Sequence, residues 1–446
     1  MAAASAFPPA RAARAAKRLG YGTRMPAALM VDAPATSAVS SCRFCSAPLE
    51  RVFADLGMSP LANSYLTARQ VNAMEPFYPL RALVCASCFL VQLEEYETPG
   101  AIFSDYAYFS SYSTTWLEHC RRYVDQVVER FDLGPHSHVV ELASNDGYLL
   151  QYFHDTQIPV LGIEPADNVA KVALQRGIPT LVEFFGVETA RTLVPQSQAD
   201  LLIGNNVLAH VPDINDFVAG MKILLKPGGT ITMEFPHLMR LIEENQFDTI
   251  YHEHFSYFSF ATARRIFAVH GLRLYDVQEL TTHGGSLRIF GCHDDDASKA
   301  ESARAIELLQ RERDAGFEEL EIYDEYARRV QDFKRDILEF FIARKREGLA
   351  IAGYGAPAKG NTLLNYCGIG RDFIDYTVDL NPAKQGHFLP GTHIPIRTPE
   401  TLRETRPDLV FILPWNLRDE IMDQLSFIRD WGGRFAARAP ELTIHG

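Results

Sequence analysis

From His138 the chain alternates between strand-like and helix-like segments, and this alternation limits the fold more than any other feature. HVVELAS reads as a buried strand, YLLQYFHDT as a helix, PVLGIEP as a strand, NVAKVALQRG as a helix, ADLLIGNN as a strand and INDFVAGMKILL as a helix; the turn KPGG then leads into the strand TITMEF. Apolar strands separated by helices form a parallel sheet covered on both faces. A second unit of this kind begins at Leu349 with LAIAGYG, NTLLNYCG, DYTVDLN, TPETLRE and DLVFILPWN. A chain of 446 residues is too long for one ordinary core. The expected division is a disordered tail over 1–38, an N-terminal module over 39–115, a first α/β domain over 116–290, a charged helical connector over 291–348 and a second α/β domain over 349–446. A helix is expected from about Trp116 to Phe131, where Leu117, Cys120, Tyr123, Val124, Val127 and Val128 share one side.

The junction VVELASNDGYLL, residues 139–150, is where ligand chemistry first shows. Ligands of doubly wound sheets bind at the carboxyl ends of the strands, beside helix N-termini. Ser144, Asn145 and Asp146 are turn and cap residues, and Gly147 lets a ligand approach the backbone. Glu164 ends the next strand, where a carboxylate suits the two hydroxyls of an adenosine ribose. No G-x-G-x-x-G pyrophosphate loop occurs here, which favours a ligand without phosphates. Glu141 is placed to face a cationic amino-acid group. In this order, with NNVLAHVPD and LLKPGGTITMEF behind them, these pieces predict a site for S-adenosylmethionine (SAM). The KPGG turn is similar to the one many class I methyltransferases carry after their fourth helix.

Seven cysteines are present, and four form the pairs Cys42-x-x-Cys45 and Cys85-x-x-Cys88. Each spacing lets two thiolates face one ion, so the four fit a tetrahedral zinc site. The competing reading is four buried or redox-active thiols. No nucleophile or open ligand position accompanies the pairs, so the zinc is expected to be structural. An odd cysteine count in a long chain suits a reducing compartment, and the expected location is cytoplasmic. The formal net charge of -13 sets a field that repels nucleic acid and anionic membranes, and no apolar run is long enough to span a bilayer. Residues 1–31 carry Arg11, Arg14, Lys17, Arg18 and Arg24 and no acid. Either they form an organelle transit peptide, or they are a tail or an over-long start with initiation at Met25 or Met30; the second reading is preferred.

YHEHFSYF packs two histidines, one glutamate and two tyrosines between apolar flanks. A base working near neutral pH is one reading, since imidazole has a suitable pKa. Metal binding or core packing are the others: His252 and His254 point the same way if the segment is extended. THGGSLRIF is a loop of His283, Gly284, Gly285 and Ser286 entering a strand, and lines a site or simply turns. GYGAPAKGNTLLN follows a strand and opens a helix, so its amides and Lys359 can meet a diphosphate.

Together the cysteine pairs, DYAYFSSYS, ELASNDGYLL, GIEPADNVA, FFG, NNVLAHVPD, YHEHFSYFS, THGGSLRIF and GYGAPAKGNTLLN resemble the sugar C-methyltransferases of deoxysugar biosynthesis, over residues 42–440. The resemblance implies a class I methyltransferase Rossmann-like domain, flanked by an N-terminal four-cysteine zinc module and a second Rossmann-like domain. It implies SAM and structural zinc as cofactors, and a nucleotide-linked 4-keto sugar as substrate, methylated on a ring carbon. Nucleic acid and membrane are not expected partners. His254 matches the family's catalytic base, with Tyr251 and Glu253 beside it. Phe185 and Asn206 join Glu141, Ser144, Asn145, Asp146, Gly147 and Glu164 at the donor. Either Tyr106 or Tyr108 matches a tyrosine near the sugar, with His283, Ser286 and Lys359 as further substrate contacts. Methylation at carbon first needs a proton removed, which an adjacent ketone permits by forming an enolate; tyrosine hydroxyls and His252 are candidate donors to its oxygen. The alternatives are an O- or N-methyltransferase on another small metabolite, an oxidoreductase using GYGAPAKG as a dinucleotide loop, and a non-catalytic zinc module.

Overall fold

A computed structural model describes residues 40–98, 100, 110–112, 114–196, 198–438 and 441–446. The chain begins there with an antiparallel meander of β1 (Arg51–Ser59), β2 (Tyr78–Val84) and β3 (Val91–Leu93). Both cysteine pairs sit in the same kind of tight turn. Ser46 N donates to Cys42 O and Phe89 N to Cys85 O, both at 2.9 Å. Ser46 and Phe89 each have φ of 62°. These are two copies of one knuckle.

The helix Thr114–Phe131 leads into the central sheet. Its strands are β4 (Val139–Leu142), β5 (Val160–Ile163), β6 (Thr180–Leu181), β7 (Ala199–Asn205) and β8 (Leu225–Pro236); after the two-residue β9 (Ser256–Tyr257) come β10 (Leu272–Leu280) and β11 (Ser286–His293). The order is β6-β5-β4-β7-β8-β11-β10, parallel from β6 to β8, with β11 antiparallel to both its neighbours. All four residues of β4 are buried, which suits a central parallel strand covered on both faces. β9 leaves this sheet. It pairs with β3, matching Val91 with Tyr257 and Gln92 with Ser256, so the YHEHFSYF segment completes the sheet of the cysteine module.

The charged connector forms two helices, Ala303–Asp314 and Glu321–Arg346. The second has 26 residues, a length of about 39 Å. It buries Tyr323, Tyr326, Val330, Phe333, Ile337 and Phe341, which fall three or four residues apart on one face. The C-terminal sheet uses β12 (Ile351–Tyr354), β13 (Thr377–Val378), β14 (Ile396–Arg397), β15 (Leu409–Ile412), β16 (Arg434–Arg438) and β17 (Leu442–His445). Its order is β14-β13-β12-β15-β16-β17, parallel except for β17. The chain therefore reverses direction across the sheet between β12 and β15, where a ligand crevice opens in such folds.

The cores cross the sequence segments. Phe53, Leu80 and Val91 of the cysteine module share one core with Tyr323 and Phe341 of the long helix and Leu363 and Phe411 of the C-terminal unit. Leu83 and Leu90 of the same module belong instead to the core of the central sheet. No helix among the described residues is long and apolar enough to cross a membrane.

Candidate active site and metal centre

The four sulfurs of Cys42, Cys45, Cys85 and Cys88 lie within 4.8 Å of one another. Cys42 and Cys88 Sγ are 3.6 Å apart, and Cys45 and Cys85 Sγ are 3.5 Å apart. A tetrahedral zinc with Zn–S near 2.3 Å asks for S···S of about 3.8 Å, so the donor set fits the ion. Gln92 Nε2 donates to Cys42 Sγ at 3.1 Å and Ser87 N to Cys85 Sγ at 3.4 Å, as expected around thiolates. The first knuckle also grips the central domain: Arg43 Nη1 donates to Pro212 O at 2.8 Å, and Asn215 Nδ2 to the carbonyls of Arg43 and Phe44 at 3.1 and 3.0 Å.

Of the predicted donor residues, Glu141, Ser144, Asn145, Asp146, Gly147 and Glu164 gather at the carboxyl end of β4. Glu141, Ser144 and Asp146 are fully buried. Both Glu141 oxygens, Ser144 Oγ and Asp146 Oδ1 are shut from solvent and hold no hydrogen bond; the Tyr148 hydroxyl lies beside Glu141. Burial pushes the Glu141 carboxyl well above its ordinary value. Unpaired buried polar atoms are costly, and three such groups around one loop fit a ligand carrying an ammonium and hydroxyls. Asn145, with φ of 49°, donates its N–H to Glu164 Oε2 at 2.9 Å, and Glu164 Oε1 accepts from Ala166 N at 2.8 Å. Glu164 thus buckles two loops and keeps a second lone pair on each oxygen. Gly147 has φ of +77°, and a Cβ there would press on Ile178 at 3.1 Å. Phe185 packs edge to face on Phe217 at 5.4 Å. Tyr106 and Tyr108 lie outside the described residues.

His254 lies on the segment that precedes β9. Its Nδ1 donates to Thr249 O at 3.0 Å, which leaves Nε2 as the acceptor. The ring is flanked by Tyr251 at 4.0 Å and His210 at 4.7 Å. Burial, then the neighbouring His210, His283 and Lys359, holds the imidazole well below its usual value. Glu253 accepts from Asn63 Nδ2 at 2.6 Å; burial raises its carboxyl to about 7 against that bond. His252 and His254 engage different partners: His252 Nε2 lies 3.2 Å from Pro79 O, and its ring meets Tyr78 edge-on at 5.9 Å. Among the described residues the four cysteines are the only cluster arranged to hold a metal.

His283 has φ of 55° and lies 3.3 Å from Asn206, whose Nδ2 donates to its Nε2. It is exposed to solvent, yet the surrounding protein and the Lys359 charge lower its pKa. Ser286 spends its hydroxyl on Thr282 O at 3.0 Å, which fixes the loop. Beneath it, buried Glu234 accepts from Thr282 Oγ1 at 2.8 Å and Arg288 Nη2 at 2.6 Å, with His119 Nε2 at 3.0 Å. Burial would raise this carboxyl, but His119 and Arg288 hold it down at about 2.

Lys359 emerges at the crevice between β12 and β15. Its Nζ donates to Asn416 Oδ1 at 2.6 Å and lies 4.5 Å from the Trp415 ring. Burial lowers its ammonium to about 8. The loop before it is already engaged: Ala356 N donates to Asp379 Oδ2 at 2.7 Å, and Ala356 O accepts from Tyr65 at 2.6 Å and Lys384 at 2.9 Å. That occupancy weighs against a dinucleotide at GYGAPAKG. Sequence reasoning missed Asn63, His119, His210 and Trp415 as site residues. Of these, His210 alone carried a signal, lying inside NNVLAHVPD.

Residues 42–103 match the family described as "Putative zinc binding domain", 116–277 that described as "Methyltransferase domain", and 281–440 that described as "C-methyltransferase C-terminal domain". The chain is 37% identical to C-methyltransferase NovU of Streptomyces niveus over 408 residues, covering 91% of this chain and 97% of that protein. A ubiquinone biosynthesis O-methyltransferase of Rhodopseudomonas palustris is 25% identical over 21% of this chain and 38% of its own length. Among solved structures, the magnesium protoporphyrin IX methyltransferase of Synechocystis with bound SAH is 14% identical over 39% of this chain and 82% of its own, at a TM-score of 0.33.

Proposed function

The chain belongs to the zinc-binding C-methyltransferase family and is a SAM-dependent C-methyltransferase, and on that premise we propose that it methylates a ring carbon of a nucleotide-linked 4-keto deoxysugar, with His254 as the base. The observation that supports this reading is the tautomer of His254: Nδ1–H is committed to Thr249 O, so Nε2 is left as the ring's acceptor. The depressed pKa keeps that nitrogen unprotonated at neutral pH. His254 Nε2 takes the proton from the carbon beside the ketone, and the Tyr251 hydroxyl and Glu253 are the groups that meet the enolate oxygen. With its carboxyl near 7, Glu253 holds a proton in part of the population and can donate it. Glu141, Ser144, Asn145, Asp146, Glu164 and Asn206 bind and orient SAM, which supplies an electrophilic methyl group when bound. Lys359, at the reversal point of the second sheet, receives the diphosphate of the substrate. His283 closes the cleft over the sugar.

The test is a panel of 4-keto-6-deoxyhexoses linked to thymidine, uridine, guanosine and cytidine diphosphates. In deuterated buffer without SAM, the wild-type protein is expected to exchange the hydrogen beside the ketone of at least one member. Adding SAM is expected to add one methyl group by mass. Methylation with no exchange would point to O- or N-methylation, and no turnover of any member would remove the sugar reading.

A further inference from the structure

The indole of Trp415 is buried at the head of the second sheet's crevice, 5% exposed, and touches three parts of the proposed site. Its Nε1 donates to Asp248 Oδ2 at 2.7 Å. The other Asp248 oxygen accepts from Arg438, which is 1% exposed and also donates to Asn245 O. Asp248 precedes Thr249, whose carbonyl receives His254 Nδ1. The indole face lies 4.5 Å from Lys359 Nζ, and its neighbour Asn416 accepts from the same ammonium. The outer edge of the ring fills the place of a missing side chain at Gly284. A Cβ there would lie 2.4 Å from Trp415 Cη2, and Gly284 has φ of +92°. Gln246 Nε2 ties the Gly284 carbonyl at 2.6 Å, next to His283.

We propose that Trp415 is a positioning residue: its indole locks the carbonyl that orients His254, the loop that carries His283 and the Lys359 ammonium into one arrangement. A carbonyl turned by even a fraction of an ångström alters which way Nε2 points, and proton abstraction is sensitive to that aim. This inference rests on the reading of His254 as base. It goes further by making the C-terminal unit, not only the methyltransferase sheet, responsible for the geometry of deprotonation.

The two functions of the ring separate by substitution, using the full-length protein and the panel member that exchanges fastest. Trp415→Phe keeps the ring and removes the N–H. It is expected to lower kcat for exchange about tenfold, the factor one lost hydrogen bond to a charged group represents, with the KM of the sugar and the affinity for SAM unchanged. Trp415→Leu also removes the aromatic face, and is expected to raise the sugar KM by up to about tenfold, the scale of a desolvated cation–π contact. Gly284→Ala disturbs the same contact from the other side and is expected to lower kcat with SAM affinity intact. Wild-type kcat and KM in Trp415→Phe overturn the proposal. If that variant loses SAM binding, and so its fold, Gly284→Ala decides in the same way. His254→Asn separates this idea from the reading beneath it. An inactive His254→Asn beside a normal Trp415→Phe sinks the positioning role alone, whereas exchange surviving in His254→Asn sinks both.

Discussion

Single buried groups set the chemistry of this protein, and two of them give sharp expectations. Glu141 is a fully buried carboxyl whose neighbour is the Tyr148 hydroxyl, raised well above its usual value by burial. A raised carboxyl contributes stability that is complete below the unfolded pKa and is lost as pH rises through the folded one. Glu141→Gln is therefore expected to leave the thermal midpoint of the free protein unchanged or higher, while weakening SAM binding about tenfold or more, the scale of a lost charge-assisted bond. Calorimetry in buffers of different ionisation heat is expected to show a proton released when SAM binds, absent in the variant. Asn63 supplies the second expectation. Its bond is what lowers Glu253 against burial, so Asn63→Leu is expected to move the Glu253 limb of the pH–rate profile to higher pH from near 7. An unmoved limb would break the link between them. Glu141 could be singled out in the sequence because it stands in a strand just before a turn; Asn63 could not, because it lies 190 residues from its partner.

At the scale of elements, the zinc knuckles and β9 decide where the YHEHFSYF segment stands. β9 holds the end of YHEHFSYF against β3, and β3 follows the second knuckle. The first knuckle clasps Pro212 and Asn215 at the start of the helix Ile214–Leu224. Stripping zinc with a chelator, or Cys42→Ser, is expected to lower the thermal midpoint and abolish hydrogen exchange together, although the four cysteines are not among the proposed substrate contacts. A zinc-free protein with full exchange rates would separate the metal from the site. The knuckles were readable from spacing alone, since each needs only four consecutive residues. β9 was not: two residues give no periodicity, and only the pairing with β3 makes them a strand.

Across the molecule, the fold is held by cores that join segments far apart in sequence. The long helix is the spine of one of them, with the cysteine module on one flank and the C-terminal unit on another. A protein ended at Gly348 would expose that face and lose Arg438 from Asp248, whose buried carboxylate would then stand without its cation. Such a fragment is expected to lack near-ultraviolet dichroism of a packed core and to bind SAM weakly or not at all; a fragment with native dichroism would show that the first sheet stands alone. Acid should also unfold the whole chain cooperatively. His210 is lowered to about 4 and His254 well below its usual value. Lowered imidazoles give stability that is full above the unfolded value near 6.5 and lost as pH falls toward the folded ones. The thermal midpoint is expected to decline between about pH 6.5 and 4.

The sequence by itself determined the two α/β units and the zinc knuckles, and it singled out the turn from Glu141 to Gly147 and the YHEHFSYF segment as the proposed donor loop and base. Each is written in neighbouring residues, through strand period, turn chemistry or ligand spacing. Only the tertiary structure decided that His252 reaches Pro79 while His254 is held by Thr249, that the cysteine module lends Asn63 to Glu253, and that Arg438 and Trp415 meet on Asp248. Those contacts join residues that are remote along the chain, and local periodicity carries no record of which distant side chain will arrive.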